Sequence, residues 1–221
     1  DEEKISAAVS SGADRLCVNA QSMHESTLNV VGRGVALDDF YRAYEIARDS
    51  GADVNIDLIY GLSGEGDERF LSSVERVLAL KPHNITLHAL AYKRNAEIFA
   101  CKAYDKNRKA AGYEQAYDRM RAVGYEPYYL YRQKYSAGGA ENTGFCLPGR
   151  EGIYNQMIIS EKIGIIGLGA GALGKIYLPA ENRVERIEGY KNIDLYIKNI
   201  DEVLEKKRER VKNIDKTLTD R

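Results

Sequence analysis

The sequence predicts an α/β protein, with βαβ units building a parallel sheet and a mixed α+β module following. Three observations predict it. Gly12-Ala13-Asp14 leads into the strand-like run Arg15–Val18, and Gly51-Ala52-Asp53 leads into Val54–Tyr60, so one unit is used twice. Between these runs, and again before a third run at Asn84–Leu90, apolar residues recur at helical spacing. Helix alternating with strand indicates parallel strands whose connections cover the sheet from outside.

The chain opens on Asp1-Glu2-Glu3-Lys4 and runs into Ile5, Ala8 and Val9, an amphipathic helix stopped by Gly12. An α/β helix normally follows a strand, so the expectation is that this sequence begins inside a larger fold. The next helix carries Phe40, Tyr41, Tyr44 and Ala47 on one face, with Asp38 or Asp39 available as its cap. A further helix buries Phe70, Val74, Val77 and Leu78 and ends at Lys81-Pro82, where proline cannot continue the ladder. About three strands result by residue 95, less than half of an eight-stranded barrel. Beyond residue 100 the pattern changes. A Tyr-rich helix over about 104–123 places Tyr113, Tyr117, Met120 and Val123 at core spacing and ends at Gly124. Tyr125–Arg132 reads as a strand, Ser136–Gly139 as a flexible loop and Glu151–Glu161 as a short helix. The apolar run Ile163–Leu168, a glycine-rich turn and strands at Lys175–Leu178 and Arg183–Ile187 precede a charged helix over about Ile193–Asn213. The expected division is residues 1–100 and 101–221.

Composition excludes several classes. With 32 basic and 33 acidic side chains the net charge is -1, too neutral to attract a polyanion, so no nucleic-acid partner is expected. No apolar run reaches membrane-span length, and no signal-peptide pattern opens the chain. The three cysteines, Cys17, Cys101 and Cys146, are too scattered for a local metal loop or a secreted disulfide scaffold, and fit a reducing, cytoplasmic compartment. Cys17, in an apolar strand, is expected to be a buried thiol.

In parallel α/β proteins, ligands bind beyond the C-terminal ends of the strands. Here those ends carry Asn19, Gln21 and Ser22, then Asn55 and Asp57 ahead of Gly61-Leu62-Ser63-Gly64, then Thr86 and His88 ahead of Lys93-Arg94-Asn95. An aspartate inside Ile56-Asp57-Leu58-Ile59 requires partners or a ligand, such as ribose hydroxyls or an ammonium group. Arg33, between Gly32 and Gly34, suits a ligand carboxylate. Gly169-Ala170-Gly171-Ala172-Leu173-Gly174 matches GxGxxG formally, but Lys175–Pro179 is too short and too β-like for the helix that a dinucleotide needs. Its glycines instead permit close backbone approach to a bound group. His24, His83 and His88 lack metal-triad spacing, and His88, at a strand end, is the one that attracts notice.

The stretches GADRLCVNAQSM (12–23), VVGR ending at Arg33, NIDLIYGLSGE (55–65), ITLHALAYKR (85–94), YYLYRQKYSAGGAENTGFCLPGREGIYN (128–155) and IIGLGAGALGK (165–175), in this order, resemble the HemN-type branch of radical S-adenosylmethionine proteins. The nearest resemblance is to the C-terminal two thirds of the oxygen-independent coproporphyrinogen III oxidase-like (coproporphyrinogen dehydrogenase) subgroup. It implies a partial (β/α) barrel for a [4Fe-4S] cluster and S-adenosylmethionine, with a C-terminal module on the substrate side. It implies a radical that abstracts hydrogen from a propionate side chain of coproporphyrinogen III before decarboxylation to a vinyl group, with a flavodoxin- or ferredoxin-like electron donor. On the family pattern Gln21 meets the ribose or methionine part, Arg33 the cofactor carboxylate, Asp57 the adenosine side and Ala89 the adenine, while Gly169 marks the turn beside the site. Arg132, Lys134, Arg150 and Lys175 are candidates for tetrapyrrole carboxylates, with Tyr128, Tyr129, Tyr131 and Tyr135 flanking the ring. The family's CxxxCxxC loop, GGGTP-like strand end and glutamate-bearing strand are absent from this sequence, and the expectation is that about three strands and the cluster loop precede it. Family relatives also include haem-binding or haem-transfer proteins, so this alternative stands beside the oxidase, as does a cluster-free structural or regulatory role.

Overall fold

The computed structural model describes residues 2–92 and 109–219. Two compact units result, Asp1–Gly152 and Ile153–Arg221. The first contains α1 (Glu2–Ser10), β1 (Arg15–Cys17), α2 (Glu25–Val30), α3 (Leu37–Asp49), β2 (Asp53–Tyr60), α4 (Asp67–Leu80), β3 (Asn84–Ala89), α5 (Ala111–Ala122), β4 (Glu126–Tyr131) and β5 (Asn142–Cys146). The sheet order is β1-β2-β3-β5-β4. The first three strands are parallel, as the alternation predicts, and β5 runs antiparallel to both β3 and β4. Among the described residues the sheet stays open, with β1 and β4 as its edges and no closed barrel.

Strand β5 and the short helix α2 are the elements of this unit that periodicity did not reveal. Asn142-Thr143-Gly144-Phe145-Cys146 is buried at every residue and carries polar groups on both faces, so no half-buried alternation marks it. It inserts between β3 and β4, and the segment beyond residue 100 thereby completes the first unit's sheet.

One face of this sheet is apolar. Val54, Ile56, Leu58 and Tyr60 on β2 join Ile85, Leu87 and Ala89 on β3 in a buried core with Phe70, Val74 and Val77 of α4 and Phe40, Tyr44 and Ala47 of α3. Edge-to-face ring contacts tie the layers: Tyr60 lies 5.0 Å from Phe70 and 5.9 Å from Tyr113, and Tyr117 lies 5.0 Å from Phe145. Helix α4 stops as expected, with Lys81 in the left-handed region (φ 54°) ahead of Pro82. Helix α3 corrects an expectation. It starts at Leu37 with Ala36 as its uncapped N-cap, so Asp38 and Asp39 sit in the first turn and favour its positive end without capping it. Of the Tyr-rich helix, Tyr113 and Met120 are buried and Val123 is exposed; its expected start near 104, like Cys101 and Lys93-Arg94-Asn95, lies outside the described residues.

The second unit contains α6 (Ile153–Ser160), β6 (Gly174–Leu178), β7 (Arg183–Ile187), α7 (Ile193–Lys198) and α8 (Ile200–Thr219). The two predicted strands form an antiparallel pair. The run Ile163–Leu168 makes only the bridge from Ile165 to Lys175. Among the described residues no helix is long and apolar enough to cross a membrane.

Gly144 is the residue where core and polar face meet, because a Cβ there would occupy the space of the Tyr129 ring. Gly144→Ala is expected to lower stability by about 1–3 kcal/mol in urea unfolding. Displacement of the Tyr129 ring is expected to change the near-ultraviolet circular dichroism of the folded protein, which checks where the strain falls.

Candidate functional site

The pleat sends alternate residues of β2 and β3 to the face away from the helices. At the N-terminal ends of the strands that face is closed by charge. Asp53 pairs with Arg15 at 3.2 Å and with Arg150 at 2.9 Å, and His83 Nε2 lies 3.6 Å away. The Val54 N–H donates to His83 Nδ1, so the ring's own proton is on the nitrogen nearest Asp53. Asn84 receives Arg15 and donates to the Arg150 carbonyl at 2.7 Å.

The middle of the face is a continuous polar network. The amide of Asn55 donates to Asp57 Oδ1 at 2.6 Å and approaches Cys17 Sγ at 3.8 Å. Thr86 donates to Asn55 Oδ1 at 3.2 Å and lies 3.5 Å from the Tyr129 hydroxyl. His88 Nε2 stands 3.5 Å from Asp57 Oδ2, and His88 Nδ1 stands 3.0 Å from Asn142 Oδ1. Burial opposes the Asp57 charge. The hydrogen bond and charge of His88, with Asn55 and Thr86, outweigh it and hold the carboxyl below its ordinary value. For His88 burial works against the imidazolium, and Asp57 and Asn142 more than compensate, raising the ring's pKa. Cys17 is exposed, which corrects the buried-thiol expectation: it lies on the open edge strand. Surrounding protein and the Asp57 charge nevertheless push its thiol up.

At the strand exits the backbone itself is shaped. Gln21 takes a left-handed conformation (φ 65°), unusual for a residue with a side chain. Its N–H donates to the Asp57 carbonyl at 2.8 Å and its carbonyl accepts from Ile59 at 2.9 Å, which fixes it against β2. The next residue starts a buried latch. Ser22 donates to Glu65 Oε1 at 2.7 Å, and Ser73 of α4 lies 3.5 Å from the same oxygen and accepts from the Met23 N–H at 3.0 Å. Glu65 Oε2 is buried without a hydrogen-bond partner. Burial therefore pushes the Glu65 carboxyl up, against the pull of Ser22, His24 and Arg69.

Gln21 thus sits against β2, its N–H on the Asp57 carbonyl, while Ala89 lies further along at the exit of β3, registered with Tyr60 and buried, with its N–H bound to Asn142 Oδ1 at 3.2 Å. Arg33 lies in the turn after α2, half-buried, and no hydrogen bond or ion pair engages its guanidinium among the described residues. Since β4 runs parallel to β3, Arg132 and Lys134 leave the sheet at this same end; both are exposed, and Arg132 pairs with Glu141 at 2.9 Å. Arg150 is at the opposite end, committed to Asp53. Gly169 and Lys175 belong to the second unit, where Lys175 reaches the Ile158 carbonyl at 3.3 Å and Glu161 at 3.5 Å. The glycine-rich stretch runs into β6, as expected, rather than into a helix. Sequence reasoning missed Asn142 and the Glu65 latch. A polar residue opening an unrecognised strand gave no signal, whereas a carboxylate in the glycine loop before α4 was visible in NIDLIYGLSGE. Among the described residues no group of three or more His, Cys, Asp or Glu side chains is arranged to hold a metal ion.

Residues 1–77 match the family model of the Radical SAM superfamily. The chain is 39% identical over 182 residues to the oxygen-independent coproporphyrinogen-III oxidase-like protein HemZ of Bacillus subtilis, covering 79% of this chain and 36% of that protein. It is 28% identical over 182 residues to the heme chaperone HemW of Lactococcus lactis, covering 78% and 44%. To the oxygen-independent coproporphyrinogen III oxidase of Paracoccus denitrificans it is 28% identical over 132 residues, covering 57% and 29%. The solved structure of coproporphyrinogen III oxidase (HemN) from Escherichia coli, a radical SAM enzyme, superposes with a TM-score of 0.62 at 17% identity, over 91% of this chain and 46% of that one, a likeness of fold. The chain spans less than half the length of each of these relatives.

The raised carboxyl of Glu65 has a measurable consequence. A carboxyl with a raised folded-state pKa contributes stability that is complete below its ordinary value of 4.5 and is lost as pH rises through the folded value. Glu65→Gln keeps an acceptor for Ser22 without the charge. It is expected to unfold with less pH dependence above about pH 4.5, and to be more stable than the wild type at neutral pH in denaturant titrations.

Proposed function

We propose that this chain, a homologue of HemN- and HemZ-like proteins with its superfamily match in residues 1–77, is part of a radical S-adenosylmethionine oxidoreductase acting on a tetrapyrrole. The reaction proposed is oxygen-independent oxidative decarboxylation of coproporphyrinogen III. One observation carries the reading: the helix-free sheet face carries an ionised, half-buried Asp57 whose backbone carbonyl holds the Gln21 N–H at the β1 exit. That set fits a nucleoside-bearing ligand. Asp57 accepts from hydroxyls, the end of β3 at Ala89 is the position proposed for the adenine, and the unengaged Arg33 suits a carboxylate.

When bound, S-adenosylmethionine supplies a carbon-centred radical by reductive cleavage. The electron for that cleavage comes in this family from a [4Fe-4S] cluster, and the described residues do not fit one: Cys17 is exposed and alone, and Cys146 is buried. No step through a cluster is assigned to this chain. Its own contribution is to orient the ligand at the strand exits. Residues 1–100 then form the back of the cofactor cradle and residues 101–221 the substrate side. Of the basic candidates, Arg132 and Lys134 suit tetrapyrrole carboxylates, since both leave the sheet at the cofactor end with exposed side chains. Arg150, at the opposite end of the sheet and paired with Asp53, is the less favoured of the candidates. Gly169 and Lys175 keep their proposed roles at the turn and the substrate side. A flavodoxin- or ferredoxin-like donor in the cytoplasm completes the proposal.

The alternative is a haem-binding or haem-transfer protein, supported by a match to a heme chaperone that covers more of the chain than the match to the Paracoccus oxidase. Product analysis with the intact, cluster-reconstituted protein separates the two. Vinyl product from coproporphyrinogen III is expected; stoichiometric haem binding without it would overturn the oxidase reading. For the cofactor site itself, Asp57→Ala and Arg33→Ala are each expected to weaken S-adenosylmethionine by about tenfold or more in calorimetry. Affinities equal to wild type would remove the assigned site.

A further inference from the structure

Asp57 is the acceptor on which the proposed cofactor site turns, and three contacts determine what its neighbour His88 does there. The Ala89 N–H lies 3.2 Å from Asn142 Oδ1, and a backbone N–H only donates, so the atom facing it is the amide oxygen. The same oxygen lies 3.0 Å from His88 Nδ1, which must therefore be the donor in that contact. Nε2 is left facing Asp57 Oδ2 at 3.5 Å. A neutral ring with its proton on Nδ1 would aim a lone pair at the carboxylate; the imidazolium aims an N–H. From the other side Asn55 holds Asp57 Oδ1 at 2.6 Å, and Thr86 holds Asn55. The carboxylate is thereby fixed through both oxygens.

We propose that His88 is a positioning residue: locked by Asn142 as an imidazolium, it keeps Asp57 turned towards ribose hydroxyls at the strand exits and makes nucleoside binding weaken as pH rises. The proposal rests on the reading in which Asp57 meets the adenosine part of the cofactor. The raised pKa of His88 agrees with the geometry. The other groups facing the pair titrate elsewhere. On β1, Cys17 is raised above its ordinary 9.0; on β4, Tyr129 is pushed up to about 12 and Tyr131 is raised as well. Asp57 itself is lowered, and Asn142 on β5 does not titrate. Of this cluster His88, raised from an ordinary value of 6.5, is the member whose proton loss comes first as pH rises from neutral.

The test uses 5′-methylthioadenosine, which carries adenine and ribose hydroxyls but no amino-acid end to titrate. Its affinity for the intact protein is measured from about pH 6 to 9, and the nitrogen-15 signals of the His88 ring are followed in the same samples. We expect a doubly protonated ring at the acid end, with its pKa lowered by Asp57→Asn, and a fall in affinity of about tenfold across the window. His88→Gln retains an N–H near the position of Nε2 without a proton to lose. It is expected to bind within about threefold of wild type at the acid end and to show a flat profile, while His88→Ala binds about tenfold more weakly there. A ring that is neutral throughout, or the same pH profile in wild type and His88→Gln, would overturn the proposal. Failure of the cofactor reading has a different signature: the ring still titrates in concert with Asp57, yet Asp57→Ala binds the nucleoside as wild type does. That result removes the ligand half of the proposal as well.

Discussion

A charged carboxylate on a half-buried sheet face is tolerable only if the strands around it supply partners, and this requirement organises the first unit. Asp57 draws on three elements at once: Asn55 from its own strand, Thr86 and His88 from β3, and through His88 the first residue of β5. Losing any one partner leaves a charge in surroundings that solvate it poorly. The opposite face has the simpler task of excluding water, and Ile56, Leu58, Ile85 and Leu87 are all fully buried there. Two faces with opposite chemistry give the sheet an unambiguous orientation, because a one-residue slip would exchange them.

The two ends of the polar face are also unlike. At the strand N-termini Asp53, Arg15, Arg150 and His83 satisfy one another, so charge there is spent on closure. At the C-terminal ends Asp57 has protein partners on both oxygens but remains partly accessible, and Arg132 and Lys134 are exposed. An ion pair consumed internally has little left for a ligand, whereas an oriented and accessible acceptor does.

The strand exits are held by contacts of their own. Gln21 accepts an unfavourable backbone conformation because β2 bonds it on both sides, and the Ser22–Glu65–Ser73 latch joins the β1 exit to α4. Gly61, with φ of 90°, lets Ala137 of the β4–β5 connection approach the β2 exit at a place where any Cβ would collide. Such support fixes the geometry of the strand exits in advance, which would lower the ordering cost of the ligand proposed there.

The sequence by itself determined the parallel βαβ portion. Hydrophobic periodicity located α3, α4, β2 and β3, the Lys81-Pro82 stop ended α4, and Asp57 stood out because local pattern records a charge among apolar neighbours. The expected ligand end of the sheet followed from the same strands, since parallel connectivity places their exits together. What only the tertiary structure decided depends on contacts distant in sequence. Strand β5 is recognisable only between β3 and β4, the His88–Asn142 contact spans 54 residues, and Arg150 meets Asp53 across 97. Cys17 turned out exposed because exposure depends on which strand lies next to it, and β1 is an edge. Periodicity reports which face of an element is apolar; it carries no information about which polar groups will meet on the other.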